Sequence, residues 1–265
     1  MIDRMLVNEV LSAAHLGAYV KSNIIDTGGI MLVGPPGQLK SSILIPIAKL
    51  SGAQLLSDLT VMQAISLRGP ILALQTQTLI FPEFSKIFAR RSDTAANIEG
   101  YIMQLTGEGF RNFNWESPNA TYPPCRALVL GAMTSNIYLK HWDEWQNSGF
   151  ARRFLWFHYR LNMEGVTALK KSARYDKPIR ITPKQGFLVP GESIEQDISE
   201  DELLQLHNML TEQQNSYQIG IGILRRIYTI LKWRYPKRST LPMQILSKFA
   251  LGLKREGVTV TVEDR

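Results

Sequence analysis

The sequence predicts an α/β fold in which a parallel sheet lies between two layers of helices, followed by a small helical domain. Three observations lead to this prediction. Four short apolar runs occur along the chain, and uninterrupted apolar runs are typical of strands buried on both faces. Segments with a helical spacing of apolar residues lie between these runs. A glycine-rich loop directly follows the first run.

The composition limits the class of protein. The 265 residues leave room for one large domain, or for a core with a small appendage. Hydrophobic residues make up 45% of the chain and charged residues 20%, which excludes an intrinsically disordered chain. No run approaches the ~18 uncharged residues of a membrane helix, and the N-terminus lacks the layout of a secretory signal. A single cysteine, Cys125, cannot form an internal disulfide. We therefore expect a cytoplasmic protein with no membrane partner.

Positive charge is concentrated in the last fifth of the sequence. Residues 221–265 hold ten basic and three acidic residues, an excess of seven that equals the whole net charge of +7. Basic side chains in this segment would bind a polyphosphate by displacing condensed counterions. The alternative is a solvated helical surface, and the charge alone does not decide between the two.

The first elements along the chain are a helix, a strand and a loop. Residues 7–20 have apolar residues at helical spacing, and a glycine-containing break follows at 26–29. Residues 30–33 then form the first apolar run, which leads into the glycine-rich loop at 34–42. The next helix contains Pro46, which should distort it or confine it to a short first piece. A strand, a glycine loop and a helix in this order form the layout of a phosphate-binding cradle.

Three further apolar runs predict the other strands. Thr78–Phe81 is followed closely by Glu83. Residues 127–133 run into the polar tip Thr134-Ser135-Asn136, and residues 154–159 form the fourth strand. In a parallel sheet of this kind the ligand lies beyond the carboxyl ends of the strands. The loop, the acid and the polar tip should therefore converge at that edge.

The C-terminal third predicts a linker and a group of helices. Residues 164–198 contain proline, glycine and lysine but no long helical pattern. A capping box at Ser199-Glu200-Asp201-Glu202 opens a helix, and further helical segments lie near 219–234 and 242–255. The alternating tail VTVTV predicts one strand. The predicted organisation is a core over residues 1–163, a linker over 164–198 and a basic, lid-like helical domain over 199–265.

The glycine-rich loop has the residue types that bind a nucleotide phosphate. Such a loop needs converging backbone amides, a lysine that reaches the outer phosphates and a hydroxyl group that binds magnesium. The loop fits GxxxxGK[ST] except at Leu39, which replaces the glycine before the lysine. The alternative is a Gly/Pro turn with a chance Lys-Ser pair. The predicted nucleotide-contacting residues are Gly34, Pro35, Pro36, Gly37, Gln38, Leu39, Lys40, Ser41 and Ser42.

Segments of residues 28–160 also occur in an order that is similar to a known family. GPPGQLKS is similar to a loop GDPGxAKS, FPEFSK to an acidic motif IDEFDKM, and GFARRFL to LLSRFDL. EGYIMQ, residues 107–124 and RALVLGA resemble a helix, a hairpin and a sensor strand of the same family. The chain in this way resembles the AAA+ P-loop ATPases, most closely their minichromosome maintenance branch. The resemblance implies a three-layer P-loop NTPase core.

The resemblance implies a role for each matching residue, with ATP and Mg²⁺ as cofactors. Lys40 would stabilise charge on the β- and γ-phosphates, and Ser41 would bind magnesium. Glu83 matches the catalytic glutamate that polarises the attacking water. Asn136, or Thr134 after a small shift, would hold that water near the γ-phosphate.

Three arginines match positions that complete such a site. Arg153 matches the arginine finger, which would reach the nucleotide of a neighbouring subunit. The resemblance therefore implies a homo-oligomer, as a hexameric ring or a spiral. Arg225 or Arg226, in GILRRIY, would be the second sensor arginine and contact the nucleotide.

The hairpin-like segment over 106–124 predicts a DNA contact. Phe113 and Trp115 alternate with polar residues, and Arg111 lies beside them. In the family a hairpin here lines the central pore, and aromatic and arginine side chains suit a sugar-phosphate backbone. The alternative is a hairpin packed within the subunit interface, and the sequence leaves both open.

One departure from the family pattern bears on catalysis. The magnesium-associated aspartate falls on Pro82, which has no side-chain ligand atom. Its loss would slow hydrolysis or shift the metal role to Glu83. The leading prediction is an oligomeric ATPase acting on DNA as a helicase, translocase or helicase loader, in a compact phage or mobile-element form, with a replication protein as a further partner. The alternatives are a protein-remodelling or regulatory ATPase, and an ATP-binding switch with weak hydrolysis.

Overall fold

The structure is a computed structural model of the chain. It describes residues 4–21, 27–89, 91–113, 116, 122–158, 167, 194–195, 199, 201, 204–205, 208, 221–238 and 240–253. The α-helices of this part are α1 (Arg4–Gly17), α2 (Lys40–Leu44), α3 (Val61–Leu72), α4 (Ser92–Thr106), α5 (Ser135–Ser148), α6 (Ile221–Arg234) and α7 (Leu241–Leu253). Its strands are β1 (Val20–Lys21), β2 (Gly29–Gly34), β3 (Ala53–Leu55), β4 (Thr78–Phe81), β5 (Leu128–Thr134), β6 (Phe154–His158) and β7 (Ile194–Glu195). Short 3₁₀ turns lie at Ile47–Lys49, Phe84–Ala89 and Ala151–Arg153.

Five of the strands form one sheet at the centre of the fold. Their order is β3-β4-β5-β2-β6, and every neighbouring pair is parallel. All six residues of β2 are buried, which explains its uninterrupted apolar run. β1 and β7 form a separate parallel pair. The predicted α/β fold with a parallel sheet is confirmed.

Helices cover both faces of this sheet. Ile30 and Leu32 pack with α1, α2, α6 and α7, whereas Met31 and Val33 pack on the opposite face with α3, α4 and α5. The crossover from β2 to β3 runs in one direction along the sheet, and the later crossovers run in the other. Right-handed connections therefore place α2 on one face and α3 to α5 on the other. The arrangement is compatible with a three-layer α/β fold.

Pro46 shortens α2 as predicted, whereas one strand of the sheet was not predicted. α2 ends at Leu44, and Pro46 caps the following 3₁₀ turn, as expected of a residue that lacks an amide and clashes with the preceding turn. The sheet has a fifth strand, β3, beyond the four that were predicted. β3 is a three-residue edge strand with no buried residue, so it has no apolar run to reveal it.

The C-terminal helices share a hydrophobic core with the N-terminal helix. α6 packs against α1, and Phe249 of α7 stacks on Phe157 of β6 with ring centroids 5.0 Å apart. Arg234 donates to the carboxylate of Glu9 at 2.8 Å, which joins α6 to α1. Some basic side chains of the C-terminal segment therefore serve internal packing. The division into a core and a lid-like domain stays a prediction.

Several predictions fall on residues outside the described part of the chain. These are most of the 164–198 linker, most of the helix expected after Ser199, the VTVTV tail and Trp115. None of the described helices is both long and apolar enough to cross a membrane.

Candidate functional site

The carboxyl end of β2 lies at a topological switch point of the sheet, where the connection from β2 and the connection from β5 run toward opposite sides. β2 has β5 on one side and β6 on the other, while its own crossover leads to β3 at the far edge. Open α/β sheets bind ligands at such a point. Gly34 ends β2 and pairs with Thr134, the last residue of β5, so the glycine loop starts beside the polar tip of β5.

The loop contains two residues in the left-handed backbone region. Gly37 has a φ of +74°, and Leu39 has a φ of +56° directly before α2. A glycine adopts this conformation freely, whereas an L-residue with a side chain pays about 1–2 kcal/mol. The structure therefore gives a physical reason for the glycine that the phosphate-loop pattern has at position 39. Leu39 keeps the conformation under strain.

The side chain of Lys40 folds into the loop. Its Nζ donates to the carbonyl of Gly34 at 2.8 Å and to that of Pro35 at 2.6 Å. The lysine is half-buried, and this burial lowers its pKa. A positive charge held by neutral carbonyls in a partly desolvated position is suited to an anionic partner, because charge-assisted hydrogen bonds are about twice as strong as neutral ones.

Ser41 connects the loop to the end of β4. Its Oγ donates to the carbonyl of Pro82 at 3.2 Å, across the position of β5 in the sheet. Pro82 directly follows β4 and precedes Glu83. Pro82 has no side-chain oxygen. Its main-chain oxygen therefore accepts the Ser41 hydrogen bond at the position where the acidic motif that the chain resembles has an aspartate.

Glu83 is exposed and paired. Its Oε2 lies 2.7 Å from Nζ of Lys86, and the two side chains are 59% and 53% exposed. Thr134 and Asn136 lie at the same end of the sheet, where Thr134 occupies the N-cap position of α5 without a side-chain capping bond and Asn136 is exposed in its first turn. Of the two proposed sensors, Thr134 is the one in register with Gly34.

Arg153 lies at the amino ends of the strands, opposite the glycine loop. The next residue, Phe154, pairs with Gly29, the first residue of β2. The six residues of β2 span about 20 Å, farther than an arginine side chain extends, so Arg153 does not reach the loop of its own chain. Its guanidinium packs against Gly107 and leaves no room there for a Cβ.

The structure places the side chain of Arg226 between the end of α1 and β1. Arg226 is 6% exposed, and its Nη1 donates to the carbonyl of Gly17 at 3.1 Å and to that of Val20. Ile223, on the preceding turn of α6, contacts Gly28 at the amino end of β2. Arg226 therefore bonds carbonyls at the end of α1 and in β1, and the nucleotide contact of Arg225 or Arg226 stays a prediction.

Phe113, one of the two aromatic residues of the predicted DNA contact, is buried. Phe113 is 7% exposed, and its ring stacks on Tyr101 at 5.9 Å and packs against Phe110 at 4.8 Å. These rings bury Phe113 in the core. Arg111 is exposed, with Nη1 donating to the carbonyl of Tyr122 at 3.4 Å.

A partly buried ion pair that the sequence did not reveal joins Glu116 to α3. Arg68 of α3 donates to both carboxylate oxygens of Glu116, at 3.0 and 2.7 Å. The Arg68 guanidinium lies 4.0 Å from the ring centroid of Tyr122, and its hydrogen bonds lower the pKa of the Glu116 carboxyl. The partners are 48 residues apart, so no local pattern indicates the contact.

The structure thus gathers part of the predicted site at one edge. Lys40, Ser41, Glu83 and Thr134 lie at or just beyond the carboxyl ends of β2, β4 and β5, whereas Arg153 lies at the amino end of β6. The carbonyl of Pro82 and the ammonium of Lys86 join the site without having been predicted. No protein-family model matches the sequence, and a search of curated proteins finds no match. The functional argument therefore depends on the geometry of the site.

Proposed function

We propose that the protein is a P-loop ATPase of the AAA+ type that binds ATP with Mg²⁺ at residues 34–42 and hydrolyses it. One observation carries the proposal. The ammonium of Lys40 and the hydroxyl of Ser41 lie together at the carboxyl end of β2, and Ser41 is bonded there to the end of β4. A lysine, a hydroxyl and a neighbouring acid at a switch point form the set that phosphoryl transfer requires.

The loop residues would bind and orient the triphosphate. Lys40 would exchange its carbonyl acceptors for phosphate oxygens, which are anionic and form stronger hydrogen bonds. Ser41 and Glu83 offer oxygen ligands, which Mg²⁺ prefers, and few are needed because this ion keeps several waters. When bound, the metal supplies positive charge to the phosphate oxygens. The donor set at this edge fits both groups.

The residues at the strand tips would act on the water. Glu83 would orient it as a base, and Thr134 or Asn136 would hold it near the outer phosphate. These side chains come from the ends of β4 and β5, which are hydrogen-bonded to each other in the sheet. Positioning of this kind accounts for most of the rate in phosphoryl transfer.

We propose that the active form is a homo-oligomer, as a hexameric ring or a spiral. The position of Arg153 at the amino edge of the sheet supports this, because a finger there would serve only a neighbouring copy. The proposed substrate track is DNA, with helicase, translocase or helicase-loader activity. Arg111 and Arg152 are exposed and lie, like Arg153, near the amino ends of the strands. Their positive charge supports a DNA contact there.

An ATP-binding switch with weak hydrolysis is a second candidate. The main-chain oxygen of Pro82 stands where the family has an aspartate, so the site has one negative charge fewer for the metal. Weaker metal binding would leave nucleotide binding in place and slow the chemical step. A remodelling or regulatory ATPase acting on a protein would share the same site.

Steady-state ATP hydrolysis tests the proposal. We expect turnover by the wild type that rises with DNA and falls steeply with salt, because salt weakens phosphate contacts. Lys40→Ala should abolish this turnover. Wild-type turnover equal to that of Lys40→Ala would retire the ATPase, and retained nucleotide binding would then support the switch. Stimulation by a partner protein but not by DNA would support the remodelling ATPase.

A further inference from the structure

The backbone places Lys86 beside the proposed base. Lys86 lies three residues after Glu83, within the 3₁₀ turn Phe84–Ala89, and its amide donates to the Glu83 carbonyl at 3.1 Å. Side chains three residues apart lie directly above one another in such a turn. The 2.7 Å ion pair between Lys86 Nζ and Glu83 Oε2 follows from this geometry.

The turn itself is held firmly by buried neighbours. Phe84 and Ile87 are 0% and 1% exposed, and the ring of Phe84 packs on Phe81 at 5.6 Å. The carbonyl before Glu83 is held by Ser41. Only side-chain rotation of Glu83 and Lys86 therefore separates the pair, and the backbone around them stays in place.

We infer that Lys86 is a positioning residue that restrains Glu83 and slows ATP hydrolysis until the ion pair opens. The inference rests on the proposed function. The ammonium of Lys86 occupies Oε2 of Glu83, an oxygen that would otherwise orient the attacking water, so the paired carboxylate is the less active form. An exposed ion pair shifts such an equilibrium by at most about fivefold, which sets the size of the effect.

Hydrolysis by Lys86 variants without DNA tests the inference. We expect Lys86→Met to raise kcat about two- to fivefold with KM unchanged, because the lysine acts on the base and not on nucleotide binding. Lys86→Arg restores a cation at the same place and should behave as the wild type. Lys49→Met, at another exposed lysine in a 3₁₀ turn, is the matched control and should leave kcat unchanged.

Salt provides a readout that a purely structural role would not change. Added salt screens exposed ion pairs, so it should raise the ratio of wild-type kcat to Lys86→Met kcat toward one. A Lys86→Met kcat equal to or below the wild-type value, or a ratio independent of salt, would overturn the inference while the ATPase stands. Wild-type turnover no greater than that of Lys40→Ala would remove the proposed function and the inference together.

Discussion

Leu39 and Pro82 are the two residues at which the site departs from the phosphate-loop pattern that it resembles. Leu39 adopts the left-handed conformation that a glycine adopts without strain. Pro82 replaces a carboxylate with its main-chain oxygen, which accepts from Ser41. The replacement of glycine by Leu39 was visible in the sequence, but the left-handed backbone conformation of Leu39 was not. The departure at Pro82 was also visible in the sequence, but its carbonyl contact with Ser41 could not be predicted, because such a contact does not depend on the type of side chain.

Substitution at Leu39 tests whether loop conformation controls nucleotide binding. Leu39→Val should weaken ATP binding about tenfold, because a β-branched residue is strongly disfavoured at positive φ. Leu39→Gly should bind ATP at least as tightly as the wild type. Equilibrium dialysis with labelled ATP measures both. Equal affinities for the valine and glycine variants would contradict the role assigned to this conformation.

Substitution at Pro82 tests the metal site. Pro82→Asp should lower the Mg²⁺ concentration for half-maximal hydrolysis about tenfold, because a carboxylate adds a charged oxygen ligand. Pro82→Ala is the control, since it keeps the carbonyl but adds no ligand. Magnesium titrations of ATP hydrolysis give the comparison. The account of this position fails if the aspartate and alanine variants require the same Mg²⁺ concentration.

At the scale of elements, burial decides which strands can be predicted from sequence. β4 and β5 are apolar along almost their whole length because they are buried on both faces, whereas β3 at the edge has no buried residue. The alternation around Phe113 predicted a hairpin that contacts DNA or packs within the subunit interface. The ring of Phe113 packs on Tyr101 and Phe110 of its own chain, and these contacts could not be predicted because only the fold creates them.

The attachment of α1 to the sheet predicts a dependence of stability on pH. His15 is fully buried, with Nδ1 2.8 Å from the Thr78 hydroxyl and Nε2 3.0 Å from the Ser51 carbonyl. This arrangement suits a neutral ring that donates from Nε2, and burial lowers the pKa of His15 from 6.5 to about 4. The unfolded chain therefore binds more protons between these values, and stability falls as the pH drops from 6.5 toward 4.

Urea unfolding followed by tryptophan fluorescence measures this effect. The His15 contribution at pH 5 should be about 2 kcal/mol less favourable to folding than at pH 7. His15→Gln, which stays neutral, should reduce the difference between the two pH values by that amount. An unchanged difference in the variant would show that His15 does not carry the dependence.

At the scale of the whole molecule, the proposed functional residues occupy the two opposite edges of one sheet. Lys40 and Ser41 lie at the carboxyl end of β2 and Arg153 lies beyond its amino end. The strand between them is a rigid spacer within one chain. A complete site of the proposed kind therefore requires two copies. The position of the glycine loop at this end of the sheet could be predicted from sequence, because every loop that follows a parallel strand lies at the carboxyl ends of the strands.

Mixing variants tests this shared site. Arg153→Ala should bind ATP as the wild type does but lose at least about tenfold in turnover, because it removes charge stabilisation in a neighbour. A mixture of Arg153→Ala with Lys40→Ala should regain activity, since some interfaces then combine an intact loop with an intact arginine. Arg153→Lys, which keeps the positive charge, is the matched control. Thermal unfolding midpoints equal to that of the wild type would show that the variants fold. Normal turnover by Arg153→Ala would exclude a finger at this position.

Retention of ATP by the purified protein tests the central claim most directly. Equilibrium dialysis with ATP and Mg²⁺ should show saturable binding by the wild type below millimolar nucleotide, and affinity at least about tenfold weaker for Lys40→Ala. That loss follows from removing the ammonium that lies between the Gly34 and Pro35 carbonyls. No ATP retained by the wild type at millimolar concentration, or equal retention by both proteins, would contradict the account.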